Sequence, residues 1–204
     1  GYGMINLTSG KMSSRTGDIV TAFSLVDMVT KAMRERLDAD RHDDMVDLDA
    51  VAKKVGLGAI KYSFLKSTAK KDIAFDIETS IAQEGNSGPY LLYVYARCQS
   101  LARKGGEHVE GNVPNELTKE ERSILRWFNR YSDVVFQATK ERSPHYVATY
   151  VFELAQRFNL FYANVPILQS DESTRAWRLR LTRAVAKNIA HGLHLLGIEV
   201  VDQL

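Results

Sequence analysis

Five large apolar residues, Val147, Val151, Leu154, Phe158 and Phe161, follow one another at intervals of 4, 3, 4 and 3. Those intervals gather side chains onto one side of an α-helix and would scatter them over both faces of a strand. A seam of this kind, about five turns long, has to be covered by other helices. The chain supplies a cover further on. Between 171 and 196, Trp177, Leu181, Ala184, Val185, Ile189, Leu193 and Leu196 keep helical spacing, and Gly197 marks the stop.

Helical spacing extends to most of the remaining chain. Val20, Phe23, Leu25, Val26, Val29 and Met33 predict a first helix that ends near Leu37, ahead of the charged turn DADRHDD. Asp47 to Val55 reads as a short second helix stopped by Gly56, GAIKYSFLK as a third and FDIETSIAQE as a fourth. Gly85 and the Gly88-Pro89 pair then break the chain, and a fifth helix opens at Tyr90 with Leu91, Tyr95, Cys98 and Ala102 on one stripe. The stretch KGGEHVEGNVPNE is the clearest loop. Thr118 is a good N-cap, with Glu120 and Glu121 favouring the positive end of a helix that runs through Trp127. Ser143 as N-cap and Pro144 as first helical residue start the helix that carries the seam. Nothing beyond the first ten residues calls for a sheet. The expected fold is an all-α helical bundle with short connections and no internal repeat.

Composition bounds the function. With 204 residues, 45% of them apolar, the chain can bury a core. Its 27 basic and 25 acidic side chains leave a formal charge of +2, too small to identify a polyanionic partner without asking where the charges lie. Cys98 is the single cysteine and cannot form an internal disulfide, and no run approaches the roughly 18 apolar residues of a membrane span. The expectation is a soluble, cytoplasmic protein with no membrane partner.

Two features stand apart at the start. GYGMINLTSGK has strand-like alternation at Tyr2, Met4, Ile5 and Leu7, but no strand precedes it, and an isolated two-stranded piece is marginal in water. The first ten residues are therefore expected to belong to a larger body. Immediately after comes SGKMSSRTGD, residues 9–18, whose two Gly, three Ser, Thr, Lys and Arg suit a polar loop able to wrap an anion.

The last helix carries the most uneven charge. Arg180, Arg183, Lys187, His191 and His194 lie three or four residues apart, with Arg175 and Arg178 just before them. Two readings stay open: a solvated face, or a track for phosphates that adds affinity without reading sequence. Aromatic residues accompany basic and polar ones elsewhere. Tyr146, Tyr150, Phe158, Phe161 and Tyr162 share a helix with Arg157 and Asn159, while Tyr90, Tyr93 and Tyr95 lie near Arg97. Most are core residues by spacing. One or two exposed tyrosines would suit stacking on unpaired bases, which fits the single-stranded loop of an RNA better than a duplex. His191 and His194 have no Cys, Glu or Asp on their face to complete a metal shell, so no metal site is expected. Ser13 and Ser14 have no recognisable His/Asp pair nearby.

GKMSSRTG resembles the KMSKS loop of class I aminoacyl-tRNA synthetases, in the form used by arginyl-tRNA synthetases. The resemblance continues through VGLGAIKYSFL, FDIETSIAQEGNSGPYLLYVYARCQSL, PHYVATYVFELAQRFNLFYANVPIL and RLRLTRAVAKNIAHGLHLLGIEV, in the family's order and close to its spacing. It implies the C-terminal portion of an arginine-tRNA ligase: residues 1–20 closing a catalytic domain, 21–84 as connecting helices near the tRNA stem, and 85–204 as a DALR-type anticodon-binding domain. In that family the loop holds the ATP triphosphate, with Mg, while arginine attacks the α-phosphate. Lys11, Ser13 and Ser14 are then the catalytic candidates, and Lys11, Met12, Ser13, Ser14 and Arg15 the residues that contact the ATP phosphates. Ser14 stands where the general motif has a second lysine. No HIGH-like motif occurs in the 204 residues, so this chain alone is expected to make no adenylate and to carry no bound ATP.

The resemblance also assigns the partner, tRNA(Arg), with no DNA and a monomeric state. Tyr162 in FNLFYANVP occupies the place of the family's anticodon tyrosine, and Leu204 stands where its C-terminal contact often has Met. Together with Asn159, Arg157, Arg180, Arg183 and Lys187 they form the expected tRNA-binding set. The competing expectation is a helical protein-interaction or scaffold module.

Overall fold

The structure, a computed structural model, describes residues 3–8, 21–39, 47–106 and 113–204. The loop candidates Lys11, Met12, Ser13, Ser14 and Arg15 lie outside the described residues. Within them the chain forms eight helices and two short strands: β1 (Ile5–Leu7), α1 (Ala22–Ala39), α2 (Leu48–Leu65), β2 (Ile73–Phe75), α3 (Ile77–Ser80), α4 (Gly88–Gly105), α5 (Lys119–Phe128), α6 (Tyr131–Glu141), α7 (His145–Asn164) and α8 (Glu172–Leu195). The all-α expectation holds.

The seam on α7 is the centre of the bundle. Val147, Val151, Leu154, Phe158 and Phe161 are all buried, against α4 and α8 on one side and α5 and α6 on the other. On α8, Trp177, Leu181, Val185, Ile189 and Leu193 are buried as their spacing requires, and Ala184 is half-buried at the edge of the stripe. Gly192 sits where α8 crosses α7: a Cβ there would stand 2.3 Å from a Val151 methyl. Leu91, Tyr95 and Cys98 of α4 are buried and Ala102 half-buried. Burial pushes the Cys98 thiol far above its ordinary pKa, which makes it a core residue with no nucleophilic role.

Four sequence expectations are corrected, among them that nothing beyond the first ten residues calls for a sheet. Gly56 does not stop a helix; α2 continues through it to Leu65, so the expected second and third helices are one. A glycine here serves close packing, since a Cβ would lie 3.3 Å from the Thr30 Cα of α1. The expected fourth helix is reduced to the four residues of α3, because Phe75 ends a strand and Asp76 caps α3 directly after it, accepting from the Thr79 backbone N–H at 2.8 Å. That strand is also the missing partner of the N-terminal segment. β1 and β2 pair in parallel, Ile5 with Ile73, Asn6 with Ala74 and Leu7 with Phe75, and Thr8 donates its hydroxyl to Asp76 Oδ2 at 2.8 Å. The period-2 signal, an exposed Ala74 between half-buried Ile73 and buried Phe75, is only three residues long, too short to stand out against the helical spacing around it. Finally, Ser143 does not cap α7. Its hydroxyl donates to the Glu141 carbonyl, Pro144 takes the cap position, and no side chain caps that end.

Other termini agree with the sequence. Thr118 and Glu121 form a full capping box on α5, the Glu121 backbone N–H donating to Thr118 Oγ1 at 3.2 Å and the Thr118 backbone N–H to Glu121 Oε2 at 2.6 Å. Gly197, at φ 68°, turns the chain out of α8, whereas α4 opens at Gly88, two residues before the expected Tyr90, on a Ser87 cap not foreseen in the sequence.

Gly88 is the position at which α2 and α4 approach most tightly. A Cβ on it would lie 2.6 Å from the Gly58 carbonyl oxygen, which is backbone and cannot rotate away. Gly88→Ala is expected to destabilise the chain by about 1–3 kcal/mol in urea unfolding, whereas the exposed Glu84→Ala stays within about 0.5 kcal/mol of the parent. Parental stability for Gly88→Ala would show that the two helices do not meet there.

Candidate functional site

The C-terminal half of α7 places Tyr162 at the surface, 44% exposed, one turn beyond the buried Phe158. Its ring is not free to wander. The Arg97 guanidinium of α4 lies 4.7 Å from the Tyr162 centroid and also 4.7 Å from that of Tyr93, so a single cation is held between two aromatic faces. Arg97 Nη1 donates to Asn159 Oδ1 at 2.8 Å, and Asn159 Nδ2 donates to the Tyr90 hydroxyl at 2.9 Å. Tyr90 in turn packs edge-on against Phe152. Burial raises the Tyr90 phenol above its ordinary pKa, while the Asn159 hydrogen bond and the Arg97 charge pull it partly back. The result is a surface tyrosine whose plane is set from behind by a hydrogen-bonded cation, with a cleft beside it lined by Leu101, Lys104, Tyr162, Asn164, Pro166 and Gln169 among others.

The expected binding residues are not all brought together. Asn159 and Tyr162 share this cluster. Arg157 turns to another side of α7, where it pairs with Glu153 at 2.6 Å and lies 3.9 Å from the Trp127 ring of α5. The C-terminal segment is tied to α4 through Asp202, whose Oδ1 accepts from the Tyr95 hydroxyl at 3.2 Å. Tyr95 is two residues from Tyr93 and Arg97, about 200° around the helix, so Leu204, 40% exposed, ends a segment anchored on a different side of α4 from Tyr162.

The basic residues of α8 also divide. Arg180, Lys187 and His194 are exposed and Arg183 half-buried. Arg183 donates to the Gly106 carbonyl at the end of α4, and His191 Nδ1 is hydrogen-bonded to the Tyr131 hydroxyl at 2.5 Å. Arg178 points the opposite way, because two residues before Arg180 is about 200° of helix. Its side chain is 13% exposed, its Nε meets the buried Glu121 carboxylate at 3.1 Å, and its Nη1 reaches the Pro166 carbonyl and Ser170 Oγ. Arg178 is therefore a tie between α8 and the cap of α5, outside any phosphate track. Among the described residues, no three His, Cys, Asp or Glu side chains come together in a way that could hold a metal ion, and no helix is long and apolar enough to cross a membrane.

Two site residues, Arg97 and Tyr93, were not in the expected set. The signal available was a basic residue flanked by tyrosines on one helix. Its pairing with Tyr162, 65 positions away, becomes visible only in the fold.

Comparison with known proteins identifies the family and the fold. Residues 91–204 match the model of the DALR anticodon binding domain. The chain belongs to the DALR anticodon-binding family. This DALR chain is 36% identical over 212 aligned residues to the arginine–tRNA ligase of Bacteroides thetaiotaomicron, covering all of the chain and 36% of that protein. It is 33% identical to the corresponding ligase of Clostridium botulinum with the same coverage. The Thermus thermophilus arginyl-tRNA synthetase structure superimposes on the entire DALR chain and on 35% of its own length, with a TM-score of 0.92 at 30% identity. The synthetase of Plasmodium falciparum shares the fold, with a TM-score of 0.83 at 23% identity. The DALR chain spans about a third of the length of the curated relatives it matches.

The structural role of Arg178 is directly testable. Arg178→Ala leaves the Glu121 carboxylate buried without its cation, and unfolding free energy is expected to fall by about 3–5 kcal/mol. Arg175→Ala, at an exposed position of the same helix, is expected to stay within about 0.5 kcal/mol of the parent. A loss below about 1 kcal/mol for Arg178→Ala would mean that the pair is solvated.

Proposed function

We propose that this chain holds the anticodon loop of tRNA(Arg) for a longer arginine–tRNA ligase, which joins arginine to its tRNA at the expense of ATP. The observation that carries the reading is Tyr162: an exposed aromatic face, backed by Arg97 and presented at the surface of a DALR-family helix. An unpaired base stacks on such a face at little entropic cost, because the ring is already oriented before the RNA arrives. Asn159 acts through Arg97 and Tyr90, holding the bracket in place. Arg180, Arg183 and Lys187 supply positive charge to phosphates from α8, and Leu204 a contact from the C-terminal segment.

In the longer ligase, Lys11, Met12, Ser13, Ser14 and Arg15 hold the ATP phosphates, with Mg, and Lys11, Ser13 and Ser14 stabilise charge as pyrophosphate leaves. That role is assigned from the KMSKS-like motif alone. Residues 21–84 connect this loop to the anticodon-binding residues 85–204. The protein works as a cytoplasmic monomer, without DNA.

The test is discrimination between tRNAs. Tyr162→Ala is expected to weaken binding of tRNA(Arg) by about 5- to 150-fold, the equivalent of roughly 1–3 kcal/mol of stacking, and to weaken binding of a tRNA with another anticodon far less. Filter binding or fluorescence anisotropy reads both. Equal loss for the two tRNAs would reduce Tyr162 to packing, and no binding of tRNA(Arg) by the parent chain would overturn the reading.

A further inference from the structure

A second basic surface lies on α5, away from the Tyr162 cluster. Lys119, Arg122, Arg126 and Arg130 follow one another at intervals of 3, 4 and 4, which aligns them along one side of the helix and just past its end. All four are exposed. With Ser123, Trp127 and Arg157 they line a cleft of about 390 Å³, so five of its seven lining residues are cations and none is a carboxylate. Among the described residues Arg122, Arg126 and Arg130 make no ion pair; Arg157 is paired with Glu153, and the Glu120 carboxylate acts on its neighbour Lys119.

The floor of the cleft is built rather than incidental. Trp127 donates its indole N–H to the Tyr150 carbonyl at 3.0 Å and stacks on the Tyr150 ring at 9° between planes. Arg157 and Arg130 lie over the Trp127 ring at 3.9 and 5.0 Å. Two guanidinium groups thus share one indole ring, and Arg122 and Arg126 line the same cleft. Five such cations around one opening favour a polyanion over a single small ion. Their separation along the helix, about 5–6 Å between neighbours, matches successive charges along one nucleic-acid strand.

We propose that the α5 cleft grips the sugar–phosphate backbone of the RNA whose loop reaches Tyr162, independently of its sequence. The inference rests on the reading of Tyr162 given above. Arg157 and Tyr162 are five residues apart on α7; the shorter arc between them, about 140°, holds the buried Leu154, Phe158 and Phe161, and the exposed side through Gln156, Leu160 and Ala163 spans the remaining about 220°, so an RNA stem-loop that wraps this exposed side meets both surfaces. The cleft positions the RNA, and the tyrosine reads its unpaired bases.

The experiment is salt-dependent binding of tRNA(Arg) by the 204-residue chain and its Arg122→Gln/Arg126→Gln variant. Glutamine keeps helix propensity, and the thermal midpoint serves as the folding control. The slope of log K against log salt is expected to fall by about 2, one for each lost phosphate contact. That amounts to about threefold less salt sensitivity per contact between 50 and 200 mM. The loss is expected to be equal for a tRNA with another anticodon, unlike that of Tyr162→Ala, and Arg122→Lys/Arg126→Lys is expected to restore most of the slope. An unchanged slope and affinity in the glutamine variant would overturn the cleft while leaving the Tyr162 reading standing. So would parental RNA binding together with lost binding of polyglutamate, which would assign the cleft to an acidic polypeptide.

Discussion

The buried seam of α7 is the constraint on which the rest depends. Five apolar residues at helical spacing have to leave water, and α4, α5, α6 and α8 gather around them to make that happen. Once that packing is set, little freedom remains for the other sides of α7. Asn159 and Tyr162 fall beside α4, within reach of Tyr90 and Arg97, and Arg157 falls beside α5, over Trp127. The placement of both polar surfaces is a consequence of how the helix buries its apolar one.

Charge in this chain is divided by helical phase more than by amount. Arg178 and Arg180 are two residues apart and lie on opposite sides of α8: one neutralises a buried carboxylate, the other is exposed. The same logic separates Glu121, whose carboxylate closes the α5 cap and meets Arg178, from Lys119, Arg122 and Arg126 on the exposed side of α5. A net charge of +2 thus conceals local concentrations of one sign, and the local potential, more than the total, is what a charged partner responds to.

Much of the fold was legible because α-helical packing writes itself into local periodicity. The seams of α4, α7 and α8, the Thr118 capping box and the Gly197 stop all depend on residues within a few positions of one another. Gly56 was misread because a glycine at a helix end and a glycine at a helix crossing look alike until the Thr30 backbone is seen 3.3 Å from where a Cβ would stand. The β1–β2 pair escaped because each strand is three residues long and its partner lies 68 positions away. At the candidate site, family resemblance pointed to Tyr162, but the Arg97 bracket is a long-range contact with no local signature. The α5 stripe was legible in its spacing, yet Glu120 and Glu121 between its cations diluted it.

The central claim is that the face of α7 bearing Tyr162 receives an anticodon loop. Nucleotide-resolution footprinting of tRNA(Arg) bound to this chain tests it most directly. The account predicts protection of the anticodon-loop bases, with backbone protection in the adjoining stem. Protection confined to the acceptor end, or none in the anticodon loop, would contradict it.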